Sequence, residues 1–428
     1  MPSQFTINMI YLQSNRKQMS FRLKTILITL ISGSFILVST SITGQISTCQ
    51  LGGASDEPDL NAIQTAVPFL TIAPDSRSGA MGDGGVATTP DVNSQHWNIG
   101  KYAFLDSKGG FAISYTPWLR NLIPDINLAY LAGFFRIDEQ QVISTSLRYF
   151  SLGNITFTNI DGSFAGQYNP NEFAVDAGYS RLFTENFSGG IAFRFIRSDL
   201  TSGQQTSDGQ ETQAGISFAA DLGFYYQNEV NVGSSDGEWA AGVALTNMGT
   251  PISYSVDADK TPIPTNLRLG GRFTYNIDEY NTISTHLDIN KLLVPTPAVW
   301  GEDSISGEQV VIRGKEAPGS TVMGMVQSFY DAPGGEPGTY TTFNEEMHEI
   351  SYSIGVEYWY RKQFALRTGY FYEHASKGNR KYFTVGVGLQ LNVFSLDFAY
   401  LIPTNGQNSP LANTLRFTLG FDFADLNL

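Results

Sequence analysis

Residues 413–423 alternate without a break. Leu415, Phe417, Leu419, Phe421 and Phe423 are apolar, and Thr414, Arg416, Thr418, Gly420 and Asp422 between them are small, polar or charged. A period of two marks a strand with one apolar face and one wet face. A length of about 9–11 residues suits a tilted strand crossing a bilayer. Large apolar groups on one face with Arg and Asp on the other fit a membrane barrel with lipid outside and a polar lumen inside. The same alternation recurs near 109–117, 125–136, 140–151, 171–183, 187–198, 214–227, 237–247, 264–276, 281–290, 350–360, 363–373, 380–391 and 393–401. The predicted fold class is therefore all-β, a transmembrane antiparallel β-barrel of about 14 strands with an N-terminal plug segment. The even count is the one bacterial barrels use.

The connections support this count. Those after strands 2, 4, 8, 10 and 12 are short: Asp138-Glu139, Thr184-Glu185-Asn186, Asp278-Glu279-Tyr280, Arg361-Lys362 and Asn392. The one after strand 6 reads as longer, and those after odd strands are mostly long. Outer-membrane barrels have short periplasmic turns and long extracellular loops, so both termini are expected in the periplasm. Asn154–Ile160 reads as a loop extension, because another membrane strand there would break the alternation. The longest loop, 291–349, is acidic. Within it, Val310-Val311-Ile312 and Thr321–Val326 are expected to form a small hairpin.

The inward face carries Arg148, Asp176, Arg194, Asp221, Arg268, Arg272, His286, Asp288, Glu357, Arg367, Asp397, Arg416 and Asp422. Charges there must be paired or hydrated. Either they form a structural network that holds a plug or they line a selective channel. The plug is expected at 67–108, Gly-rich and without period. Irregular backbone is tolerated at membrane depth when shielded from lipid. Asp75, Arg77, Asp83 and Lys101 of this segment are candidates to pair with the lumen charges.

Composition agrees with a barrel. Charged residues are 15% of the chain, against about 25% in soluble proteins, while aromatics are 13% and glycines number 43. The net charge of −14 argues against a nucleic-acid partner. Arg16, Lys17, Arg22 and Lys24 followed by apolar Ile26–Val38 read as an export signal, with cleavage expected after Gly44 and Met19 a possible initiator. Residues 45–66 are expected to be a flexible mature N-terminus, and 109–428 the barrel. The single cysteine, Cys49, makes no internal disulfide, and Thr48 before it argues against lipidation.

Candidate chemistry is sparse. Trp118, Leu119, Leu122 and Ile123 are apolar in the first outer loop, which suits either a partner-contact patch or an aromatic belt. The four histidines, His96, His286, His348 and His374, show no metal spacing. Glu345, Glu346, His348 and Glu349 read as a solvated loop face rather than a cation site. Gly82-Asp83-Gly84-Gly85 lacks the Gly-Lys-Ser/Thr ending of a phosphate loop. No Gly-x-Ser-x-Gly elbow is present. No enzymatic activity, cofactor or metal is expected.

The plug segment carries a resemblance. Pro68-Phe69-Leu70, Ile72–Gly79, Met81-Gly82-Asp83, Gly85–Thr88, Gln95, Trp97-Asn98 and Lys101–Phe104 resemble the PorV (LptO) family of the Bacteroidota type IX secretion system. Phe111, Ser114–Pro117 and Leu147–Gly153 continue it. The family usually has Pro after the Trp-Asn pair, where this chain has Ile99-Gly100. The resemblance implies a FadL-like barrel with an N-terminal hatch in the Gram-negative outer membrane, among its lipids. It implies a cargo shuttle without turnover. Such a shuttle takes the C-terminal signal domains of secreted proteins from the translocon barrel to an attachment complex with a PorU-type sortase. Two other functions stay open: a FadL-like transporter of hydrophobic small molecules, and an outer-membrane enzyme such as a lipid A esterase. The charged inward face weighs against the transporter.

Overall fold

The computed structural model describes residues 61–423, apart from 121–122, 124, 159–163, 202–211, 234, 256–259, 304–306, 336–340 and 405–409. The expected export signal, Cys49 and residues 45–60 lie outside the described residues, as does Leu122.

Fourteen strands close into one barrel in which every neighbouring pair is antiparallel. They are β1 (Gly109–Pro117), β2 (Asn127–Arg136), β3 (Gln141–Ser151), β4 (Asn171–Thr184), β5 (Phe187–Asp199), β6 (Gly215–Val232) and β7 (Ser235–Gly249). They continue as β8 (Asn266–Asn276), β9 (Asn281–Leu292), β10 (Ile350–Tyr360), β11 (Phe364–Tyr372), β12 (Lys381–Leu391), β13 (Phe394–Pro403) and β14 (Leu415–Asp422). β1 pairs with β14 to close the ring, Gly110 opposite Asp422.

The pleat turns a soluble protein inside out. On β14, Leu415 and Phe417 are exposed while Arg416 and Thr418 are buried. On β5 and β6, Phe193 and Phe218 are more than 60% exposed while Arg194 and Ser217 are buried. Each strand thus offers apolar side chains to lipid and polar ones to the lumen.

Two expectations about connections change. β6 and β7 pair out to Val232 opposite Ser235, so the connection after strand 6 is short like the other even ones. The polar Asn228–Asn231 stretch extends the ladder beyond the alternating apolar part, which is why apolar pattern alone ended the strand early. In the long loop, Gln309–Arg313 does form a hairpin, but its partner is Val299–Glu302. Thr321–Gln327 is a helix instead. Gly324 packs the helix against Pro295. Ile155–Thr158 and Phe164–Tyr168 form a separate hairpin outside the barrel.

The segment before β1 lies in the lumen, folded as short helices at Pro68–Thr71, Ser76–Gly79, Ser94–Trp97 and Ile99–Phe104. It begins at the long-loop rim. Asn61 N donates to Ser376 O (3.0 Å) and Ala66 N to Pro262 O (2.9 Å), both on long connections. It ends at the short-turn rim, where Arg136 donates to Ala103 O (3.1 Å) and to Leu105 O. Residues 61–66, read above with the flexible N-terminus, are therefore tied down. The described ends, Asn61 and Phe423, lie at opposite rims; the termini themselves, expected on the short-turn side, lie outside the described residues.

Candidate functional site: the filled lumen and the outer mouth

At the long-loop end the lumen core is apolar. Val67, Phe69 and Leu70 of the segment pack against Ile126, Leu128, Phe150, Ile196, Ile252 and Ile263. Phe69 stacks on Phe150 at 6.1 Å between centroids. Trp118 and Leu119 pack against this same cluster rather than standing free. Trp118 also lies 6.0 Å from the Arg416 guanidinium. Of the expected contact patch, Ile123 is exposed.

Below this apolar stopper the candidate network residues hold the segment. Arg77 forks onto Glu357 (Nε to Oε2 3.0 Å, Nη2 to Oε1 2.8 Å) and reaches Asp91 at 2.9 Å. Glu357 also accepts from Arg367 Nε at 2.7 Å, and Arg367 continues to Asp397 at 2.5 Å. One chain of alternating charge thus joins the segment to β10, β11 and β13. Asp83 accepts from Arg416 and from the Tyr382 hydroxyl (2.6 Å). Asp288 accepts the backbone N–H groups of Gly85 (2.6 Å) and Val86 (2.9 Å), so a wall carboxylate fills the small cup of amides made by the glycine turn.

Three further arginines serve backbone carbonyls of the segment. Short helices leave their last carbonyls without internal partners. Arg148 donates to Leu70 O at 2.8 Å, and Arg268 donates to His96 O at 3.2 Å. Arg272 donates to Ala87 O at 3.0 Å and pairs with Glu238. His96 sits beside Arg148, Nδ1 to Nη2 2.6 Å. Arg194 bridges Asp176 (2.6 Å) and Asp221 (2.9 Å) within the wall itself.

Two of the four plug candidates do not pair with wall charges. Asp75 accepts from Trp97 Nε1 (2.7 Å) and Ser78 N (2.8 Å), capping a turn of its own segment. Lys101 donates to Gly85 O (2.9 Å) and Thr88 Oγ1 (3.0 Å), also within the segment.

Sequence reasoning missed the wall glycines. A Cβ at Gly242 would meet Val86 O at 2.6 Å, and one at Gly178 or Gly190 would strike Ile99. Small inward residues on adjacent strands let the segment lie on the wall. They also seat Ile99, the residue that departs from the family pattern. The turn there is sound, because the Asn98 side chain accepts from Gly100 N at 3.0 Å. Gly82, at φ +74, lies against the backbone of β10 and β11, where a side chain would meet Tyr370 O and Ile354 O.

At the outer mouth a second charged cluster ties the long loop down. Lys291 reaches Glu346 (2.9 Å) and Glu349 (2.6 Å), and Lys377 reaches Glu345 (2.7 Å) and Glu349 (3.1 Å). The glutamates read above as a solvated face are buried. Asn61 Nδ2 donates to Glu345 at 3.1 Å. Burial pushes the Asp331 carboxyl up to about 6. His348 stacks on His374 at 3.5 Å, and burial lowers both. Among the described residues no group of three or more His, Cys, Asp or Glu is arranged to hold a metal. Above this foot, Val322, Met323, Val326, Phe329, Tyr330 and Phe343 stand exposed, Val322 and Phe343 at 70%.

Solved outer-membrane proteins are similar to this chain at low scores. The toluene transporter TodX of Pseudomonas putida matches with a TM-score of 0.46 and 11% identity over 86% of this chain and 100% of that one. The Ralstonia pickettii toluene transporter TbuX matches with a TM-score of 0.43 and 10% identity over 82% and 98%. A Pseudomonas aeruginosa FadL homologue gives 0.39 and 10% over 85% and 99%. These low scores say nothing of what binds or passes this barrel. No curated protein matches the sequence. The family model for the type IX secretion system protein PorV, by contrast, matches residues 55–299. That span is more than half of the chain and takes in the lumen segment and the first nine strands: the chain belongs to the PorV family of type IX secretion system proteins.

Proposed function

We propose that this outer-membrane protein is a shuttle of type IX secretion. It binds the C-terminal signal domain of secreted proteins at its outer face, receives them from the translocon barrel, and hands them to the sortase-bearing attachment complex. It performs no turnover itself. One contrast carries this reading: the outer part of the lumen is stoppered by a segment tied to the wall, with a cavity of about 440 Å³ beneath it toward the short turns, lined by Arg77, Glu238, Trp359, Leu389 and Phe394, while apolar side chains stand exposed on the outer loop. A stoppered lumen leaves the surface as the working part. Exposed Val322, Phe329, Tyr330 and Phe343 give a β-rich cargo domain apolar contact area of the kind interaction sites expose.

Transport of hydrophobic small molecules is the second reading. Its support is a cavity of about 300 Å³ at the outer mouth, lined by Val67, Pro68, Phe150, Leu152 and Tyr254 above Glu172. The apolar stopper and the charge network beneath it oppose onward passage.

The deciding experiment is purification from outer membranes in mild detergent through a C-terminal tag, with copurifying proteins identified by mass spectrometry. A large translocon barrel, a sortase or proteins sharing a C-terminal signal domain support the shuttle. A lone barrel carrying only lipid or hydrophobic small molecules overturns it.

A further inference from the structure

The lumen segment has a direction. Its N-terminal end is bound to three long connections: Asn61 to Ser376 and Glu345, and Ala66 to Pro262. Its C-terminal end meets Arg136 beside the short Asp138–Gln140 turn and runs straight into β1. Between these rims the ties follow in order. Arg148 holds Leu70, Asp288 holds Gly85 and Val86, and the Ser188 hydroxyl donates to Gly100 O at 2.7 Å. At the long-loop end the lumen around the segment is occupied by the apolar stopper.

We propose that the lumen segment is threaded from the cell surface inward, so that Asn61–Gln64 are displayed on the outside of the cell beside the outer loops. The inference rests on assigning long loops to the outside, not on the shuttle reading.

The test is cysteine labelling in a Cys49→Ser background with a membrane-impermeant maleimide, scored against the denatured total. Ala62→Cys reports the segment's start, Gly319→Cys the long loop, and Glu139→Cys the short-turn rim. All three positions are exposed. The expected result is full labelling of Ala62→Cys and Gly319→Cys on intact cells, with Glu139→Cys labelled only after permeabilisation. Labelling of Ala62→Cys only after permeabilisation, alongside Glu139→Cys, overturns the proposal. Protection of Ala62→Cys until denaturation also overturns it. Labelling of Glu139→Cys alone on intact cells overturns it by inverting the barrel. Copurification of cargo is read separately, so failure here and failure of the shuttle reading are distinguishable.

Discussion

The lumen and the foot of the outer loop both bury glutamates against basic side chains, but with different cations. In the lumen the cations are arginines. Arg77 and Arg367 each present a rigid fork, and together they grip Glu357 from the segment side and the wall side. At the foot they are lysines, Lys291 and Lys377, which present point charges on flexible stems to Glu345, Glu346 and Glu349. A fork specifies geometry as well as charge, whereas an ammonium tolerates adjustment. The lumen network therefore fixes a segment in one register, while the loop cluster specifies charge more than geometry.

The largest expected effect comes from breaking the lumen grip. Glu357→Ala leaves two buried guanidiniums short of their anion, which costs about 3–5 kcal/mol. The temperature at which the barrel unfolds on a heat-modifiability gel should drop clearly, and adding Arg367→Met should restore part of it. An unchanged midpoint would mean that the network does not secure the segment.

Next comes the free surface of the loop. Replacing Val322 and Phe343 together with Asp should leave that midpoint within about 0.5 kcal/mol, as surface changes do. Recovery of signal-domain cargo should fall by roughly tenfold or more, the loss expected when anchor residues are removed. Equal cargo recovery from the variant would remove these side chains from the docking face.

Lys377→Met probes the foot alone. It strips a cation from Glu345 and Glu349 and should loosen the loop by about 1–3 kcal/mol. Limited proteolysis should nick 292–349 faster, with barrel unfolding unmoved. If the barrel melts earlier instead, loop and lumen are one cooperative unit and the contrast between them fails.

The smallest effect is a pH dependence of the loop. Asp331 faces Glu346, Glu349 and Gln327, and burial raises its carboxyl from 3.8 to about 6. A raised carboxyl favours the ordered loop when protonated. The stabilisation is full below 3.8 and is lost as pH rises through about 6. Hydroxyl-radical footprinting of Tyr330 should show more exposure at pH 7.5 than at pH 5, and Asp331→Asn should flatten that difference. A wild-type footprint insensitive to pH would sink the idea.

Much of the barrel was legible in the chain, for physical reasons. Alternation places strands because lipid and lumen impose opposite demands on successive residues. The inward charges from Arg148 to Arg416 follow from that period alone. Trp118 and Leu119 were not legible, because an apolar residue in a loop reads the same whether it meets a partner, a bilayer or its own core. The Thr321–Gln327 helix was missed for a related reason: a short apolar run fits a strand or a helix until a neighbour such as Pro295 decides. The signal for the wall glycines was present, since an inward glycine leaves room for backbone to approach. What lay against each glycine was not.

Strand number, which face of each strand meets lipid, and the antiparallel order of neighbours are local consequences of the sequence. Each depends on residues a few positions apart. The pairing inside the lumen is of another kind. Arg416 meets Asp83 across 333 positions of chain, and Arg77 meets Glu357 across 280. Periodicity can say that both groups face inward but not that they touch, because their distance is set by closing the ring and by the path of the segment through it. Only the tertiary structure decided which charges hold the plug, and at which rim that plug begins.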